Sequence, residues 1–292
     1  MTATQAERVL DAGNVLGECP IWSAEEAALY WVDILGRAVH RLAPATGEHR
    51  TWPVSEDIGA IGFREGGGLI AALRDGFGAI DLETGAVTRL VDPEPDRPEH
   101  RFNDGRVDRA GRFWAGTLHD DHATASGALW RLDVDHSVHR MIEGLIVPNS
   151  LCWSPDDRLM YHADSANGVI NAYDFDLATG SIANRRAFAE VREPAGVPDG
   201  AVTDAEGCLW SARFNGGRVV RYDPEGRIMG EVRVPARQVT SCAFGGPDLT
   251  TLYITTAREN YTEEDLRNDP QAGGLFAAEV GVRGIPESRF RG

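Results

Sequence analysis

A short strand carrying one large side chain recurs along this chain, and no other feature restricts its fold as much. It reads Leu29-Tyr-Trp-Val32, Gly68-Leu-Ile-Ala71, Arg112-Phe-Trp-Ala115, Leu159-Met-Tyr-His162, Cys208-Leu-Trp-Ser211 and Thr251-Leu-Tyr-Ile254. With Trp31, Ile70, Trp114, Tyr161, Trp210 and Tyr253 as marks, the intervals are 39, 44, 47, 49 and 43 residues. Turns precede the marks, as in Asp108-Arg-Ala-Gly111, Ser154-Pro-Asp-Asp157 and Asp204-Ala-Glu-Gly207. A further strand follows each mark and often ends on Thr-Gly, as at Ala45-Thr-Gly47, Glu83-Thr-Gly85 and Ala178-Thr-Gly180, before a fourth strand begins. Helical periodicity is scarce; Tyr261 to Arg267 offers a turn or two. Short apolar runs bounded by Gly, Pro, Asp and Asn are strand-and-turn grammar.

Four strands every 40–50 residues is the blade of a β-propeller, and six marks predict six blades of four antiparallel strands. The fold class expected is therefore all-β, with residues 1–292 forming one propeller domain. The last blade lacks a fourth strand of its own. The surplus strand Glu7-Arg-Val-Leu-Asp-Ala12 is expected to supply it, closing the ring and hiding two sheet edges at once. A β-sandwich followed by a second β domain would need a linker, and no Pro/Gly/Ser-rich stretch interrupts the period.

Composition narrows the partners. Lys and Arg total 29 against 45 Asp and Glu, a formal net charge of −16, so neither a nucleic-acid backbone nor an anionic membrane surface is an expected partner. No basic segment followed by an apolar one opens the chain and no eighteen-residue apolar window exists, which points to a cytoplasmic protein. The four cysteines, Cys19, Cys152, Cys208 and Cys242, are far apart in apolar strands and are expected to be buried free thiols.

The repeat also brings distant polar residues into one register. The first strand of each blade lines the channel, and it begins about a dozen residues before the mark. At that place stand Glu18, Asn103, Asn149 and Asp199, which precede their marks by 13, 11, 12 and 11 residues; blades two and six hold Ile58 and Ser241 there. Asn and Asp favour turns, and any one of these residues alone reads as turn chemistry. Four at one repeat position do not. Two carboxylates and two carboxamides meeting at one channel mouth suit a hard divalent cation, because the acids would otherwise repel each other. Arg101 puts a cation beside them, with a surface ion pair as its alternative role. His119-x-x-His122 and His136-x-x-His139 have spacings that could chelate zinc, but they sit in charged connections and read as solvated loop histidines.

Several segments resemble the senescence marker protein 30/gluconolactonase family, which includes regucalcin and sugar lactonases. They are Leu16-Gly-Glu-Cys-Pro-Ile-Trp22, the run from Arg101 to Thr117, Pro148-Asn-Ser-Leu-Cys-Trp-Ser-Pro-Asp156, the run from Pro198 to Trp210, Thr240 to Gly246, Thr255-Thr-Ala-Arg258 and Ala272-Gly-Gly-Leu-Phe276. The resemblance implies a six-bladed propeller with one divalent ion (Ca, Zn, Mn, Mg or Fe(II)) held by Glu18, Asn149 and Asp199. It implies substrate contacts from Arg101 and Asn103, and from Asp121 where some members carry a glutamate, one methylene longer. The activity implied is hydrolysis of a sugar-derived aldonolactone, a small-molecule substrate, by a monomer or weak homo-oligomer. The ion would stabilise the oxyanion of ester cleavage and Asp199 would accept a proton from the attacking water. Two other readings remain: a metal-dependent hydrolase of phosphotriesters or other lactones, and a cation-binding propeller without activity.

Overall fold

A computed structural model describes residues 3–191 and 196–292. Six small sheets stand around a channel, and in each the four blade strands run antiparallel, in chain order from the channel outward except that blade six takes its outermost strand from residues 7–10. Their inner strands are Gly17–Ser23, Ile58–Arg64, His100–Val107, Pro148–Trp153, Val197–Thr203 and Val239–Gly245, one per blade. Burial follows the same order. The first two strands of blade one are buried at every residue, whereas its outer strand Glu48–Pro53 is almost wholly exposed. Apolar runs therefore sit innermost and charged ones at the rim, which makes each sheet's faces the packing surfaces between blades.

The marks of the repeat have a structural cause. In blade three, Asp108 accepts from the backbone N–H of Ala110 and Arg112 and, at 2.9 Å, from Trp114 Nε1. Blade five repeats this with Asp204, Glu206, Cys208 and Trp210. One buried carboxylate thus caps the turn and fixes the indole that packs between blades. The Asp, the Gly three residues later and the Trp three beyond that form one unit, which is why they recur together. The helix is Glu263–Asn268, capped by Thr262 and Asp265 in a capping box.

The ring closes as the sequence indicates. Glu7–Leu10 pairs antiparallel with Leu275–Glu279 as the outer strand of blade six, the blade of Tyr253. The segment before it does more than the repeat suggests: Ala3–Gln5 pairs parallel with Ile228–Arg233 of blade five, and Ala6, 2% exposed, donates its N–H to Arg233 O between the two pairings. The amino-terminal segment therefore fastens two blades. The carboxyl-terminal residues, for which the repeat has no place, cross the channel. Arg289–Phe290 pairs parallel with the inner strand of blade two, Phe290 is fully buried, and Glu287 lies 3.6 Å from Arg106. Ile285 to Ser288 pack beside Val107, Trp153 and Thr203, the far ends of three inner strands, so that end of the channel is plugged.

Candidate active site at the channel mouth

All six inner strands shift register near their beginnings: between Glu18 and Ile21, Ile58 and Ala60, Phe102 and Gly105, Asn149 and Cys152, Pro198 and Ala201, and Val239 and Ser241. A bulge leaves a residue unpaired and re-aims its side chain. Four of the bulges carry the polar residues that the repeat aligned. Cys19 and Ser150, directly after Glu18 and Asn149, have φ of 47° and 60°, a left-handed conformation unusual for either residue. After Asp199 stands Gly200, where an added Cβ would lie 2.1 Å from Ser241 Oγ, so a side chain there would push blade six away.

The bulges bring Glu18, Arg101, Asn103, Asn149 and Asp199 to one cavity of about 220 Å³ at the open end of the channel. All five are buried. Glu18 accepts from its neighbour's Cys19 N–H at 2.9 Å, and Asp199 lines the same cavity. Asn103 Nδ2 donates to Asn149 Oδ1 at 3.0 Å and to Pro148 O at 3.1 Å, while Arg101 NH1 donates to Asn103 Oδ1 at 2.9 Å. Asn149 Nδ2 donates to Ser165 Oγ at 2.8 Å, and Ser165 donates in turn to Pro198 O. This relay leaves the Asn149 carboxamide with its oxygen toward the asparagine and acid side of the cavity.

Electrostatics show what the cluster lacks. Burial raises the pKa of Glu18, with the nearby Asp104 carboxyl adding to the effect. Burial also raises Asp199 far above the ordinary carboxylate value, with Glu18 and Asp104 reinforcing it. Two buried carboxyls whose pKa values are both raised are relieved by a proton or a cation. The donors around them are oxygens, two from carboxylates and one from a carboxamide, and this set fits a hard divalent ion that would replace that proton. A different acidic group, Asp204, Glu206 and Cys208, offers three ligand atoms close together. There Arg221 already pairs with Asp204 and Glu206 at 2.7 and 2.6 Å, and Asp204 caps the blade-five turn, so its oxygens are taken.

Asp121 goes elsewhere. Its carboxylate accepts from the Ala123 and Thr124 N–H groups and from Thr124 Oγ1, bonds that hold its pKa well below the usual range. It is exposed and does not line the cavity. His122 and Glu259 do. His122 Nε2 lies 3.4 Å from Arg101 NH2, whereas His119 Nδ1 lies 3.1 Å from Asp121, so the two histidines of that motif serve different partners. The buried acid Asp104 accepts from Leu151 N–H at 2.9 Å and ties blade three to the bulge that presents Asn149. Asp104 directly follows Asn103, and Glu259 directly follows Thr255-Thr-Ala-Arg258, so both were adjacent to segments singled out in the sequence. Nothing in the spacing of His122 sets it apart from His119.

The chain matches the family model described as SMP-30/Gluconolactonase/LRE-like region over residues 16–258. It is 45% identical to 6-deoxy-6-sulfogluconolactonase from Pseudomonas putida over 281 residues, 96% of each chain. It is 38% identical to regucalcin from Xenopus laevis, with each chain fully covered. The crystal structure of a calcium-binding regucalcin from Agrobacterium tumefaciens superposes with a TM-score of 0.95 at 30% identity, over 100% of this chain and 99% of that one. Matched by the family model over residues 16–258, which hold all six bulged inner strands, and by regucalcin over its whole length, the chain belongs to the SMP-30/gluconolactonase/LRE-like family.

Proposed function

We propose that this chain is a sugar lactonase that hydrolyses an aldonolactone at the channel mouth, with one divalent ion held by Glu18, Asn149 and Asp199. The observation that carries the reading is the meeting of two buried carboxyls, Glu18 and Asp199, with Asn149, Asn103 and Arg101 in one cavity. Similarity to 6-deoxy-6-sulfogluconolactonase supports the lactone of a sugar acid as the substrate class.

A divalent ion bound there supplies Lewis-acid polarisation of the ester carbonyl. The protein's own groups do the rest. Asp199, buried beside Glu18 in the cavity, accepts a proton from the attacking water. The proton returns to the ring oxygen as the C–O bond opens, leaving the free hydroxyl of the aldonate. Arg101 and Asn103 donate to the substrate's oxygens, and Arg101 is kept aimed by its bonds to Phe102 O and Asn103 Oδ1. Glu259 and His122 face the same cavity and contact the polyol end. Asp121 contributes by shaping the loop that carries His122. The protein acts as one propeller domain, cytoplasmic, monomeric or weakly self-associating, with a small molecule as its partner.

A second reading, a calcium-binding propeller without turnover, is favoured by the calcium-binding description of the superposed regucalcin. One assay separates the two. Protein stripped by chelator is given Ca²⁺, Zn²⁺, Mn²⁺ and Mg²⁺ in turn, and proton release in weak buffer is followed on aldonolactones and on unsubstituted lactones. The expected result is turnover above the spontaneous rate with at least one ion, fastest on the hydroxylated lactones. Binding without turnover on every lactone leaves the cation-binding reading in its place.

A further inference from the structure

A second constellation lies outside the channel mouth, beneath the connection between the second and third strands of blade three. His100, buried at the start of the inner strand, has Nδ1 2.8 Å from Glu94 Oε2 and Nε2 2.9 Å from Ser126 Oγ. Glu94 is itself fixed: Thr117 Oγ1 and Trp130 Nε1 donate to its other oxygen at 3.2 and 3.3 Å, and Arg97 NH1 stands 3.6 Å away. An ionised carboxylate only accepts, so Nδ1 carries a proton, and in the neutral imidazole Nε2 accepts from Ser126 Oγ. This is the order of nucleophile, base and orienting acid, built here from Ser, His and Glu.

The surroundings extend the argument. Ser126 is half-buried, so its hydroxyl is within reach of small reagents. A cavity of about 250 Å³ opens against His100 and Glu94, lined among others by Arg74, Arg97, Phe102 and Thr117; Ser126 is not in its lining and connects to it through His100 Nε2. Arg97 NH1 donates to Ser126 O at 2.7 Å, which leaves its other N–H groups beside the place where charge would develop on an attacked carbonyl. None of Ser126, His100 and Glu94 lines the channel-mouth cavity.

We propose that Ser126, His100 and Glu94 form a second hydrolytic site that cleaves small acyclic acyl esters through an acyl-serine, without a metal ion. Ser126 Oγ attacks the carbonyl carbon while its proton passes to His100 Nε2, and Glu94 holds the resulting imidazolium. The bond to the alcohol oxygen breaks and the alcohol leaves with that proton. Water then attacks the acyl carbon and gives a proton to Nε2; the acid departs and Ser126 recovers its hydrogen.

The probes are a fluorophosphonate and p-nitrophenyl acetate, applied to the full chain in excess chelator at neutral pH. Intact mass and peptide mapping are expected to show one adduct, on Ser126, with ester hydrolysis continuing in the chelator. Ser126→Ala is expected to lose the adduct while its lactone hydrolysis, measured after metal is restored, equals wild type. His100→Gln is expected to slow labelling by ~10²-fold or more, with circular dichroism confirming the fold. Wild type without an adduct, or with one elsewhere, overturns the proposal. So does Ser126→Ala that loses lactone turnover when wild type carries no adduct, since the three residues would then be a latch for the loop carrying His122. The lactone assay and the labelling assay fail separately.

Discussion

Asp199 and Glu18 line one cavity but differ in what replacing each should do. Asp199→Asn keeps an oxygen of nearly the same size and removes the proton acceptor. Turnover on an aldonolactone is expected to fall by ~10²–10⁴-fold, the usual range for a lost general base, while calorimetry still finds a divalent ion bound. Glu18→Gln removes a negative ligand that takes no proton from water, so ion affinity is the quantity expected to collapse, with activity returning as the ion is raised to saturation. Equal losses of affinity and saturated rate in the two variants would overturn this division of labour. Arg101 stands apart from both. It is buried with no carboxylate bonded to it among the described residues, and burial lowers its pKa, so a substrate oxygen is the acceptor that its remaining N–H groups would take.

At the scale of elements, the segment 3–10 carries more than its length suggests. It completes blade six, adds a strand to blade five and seats Ala6 in the cluster of Val232, Val234, Leu275 and Phe276. Removing residues 1–10 bares two edges and that cluster at once. The truncated protein is expected to melt roughly 5 °C or more below the full chain, for a loss of about 2–3 kcal/mol, and to aggregate through its open edge. An unchanged melting temperature in a soluble truncated protein would show that the closure contributes nothing. The inner-strand bulges are the other elements that matter. The sequence shows where polar residues interrupt an apolar strand, but the left-handed φ at Cys19 and Ser150 has no signature in composition, because it arises from neighbouring blades crowding the channel.

At the scale of the whole molecule, one bound ion would join blades one, four and five across the channel, so its binding should stabilise the ring as a unit. The sign of the pH effect follows from the raised carboxyls. Without an ion, Glu18 and Asp199 hold protons in the folded state that they release when unfolded. Their contribution is therefore present below the ordinary carboxylate range and is lost as pH climbs toward the raised folded values. The ion competes with those protons. At one fixed ion concentration, ~100 times the dissociation constant at neutral pH and worth about 2.7 kcal/mol there, the gain in melting temperature should accordingly be larger at the alkaline end of a series that starts in mild acid. A gain that is flat or shrinks with rising pH would place the ion away from these two acids.

What the sequence determined by itself was whatever repeats. Six marked strands, five with an aromatic mark and one with Ile70, required six blades, and in two of them an Asp cap and an indole three residues past a Gly are local geometry, as Asp108–Trp114 and Asp204–Trp210 show. Register then aligned Glu18, Asn103, Asn149 and Asp199, since equivalent positions on rotated blades must converge. The tertiary structure decided what depends on loops and ends, which obey no period. Asp121 and His122 are neighbours, yet the Asp bonds its own turn while the His reaches Arg101, because local N–H groups satisfy the shorter acid first. The carboxyl-terminal plug, the strand added to blade five, and the meeting of Glu94, His100 and Ser126 all join residues by three-dimensional proximity alone.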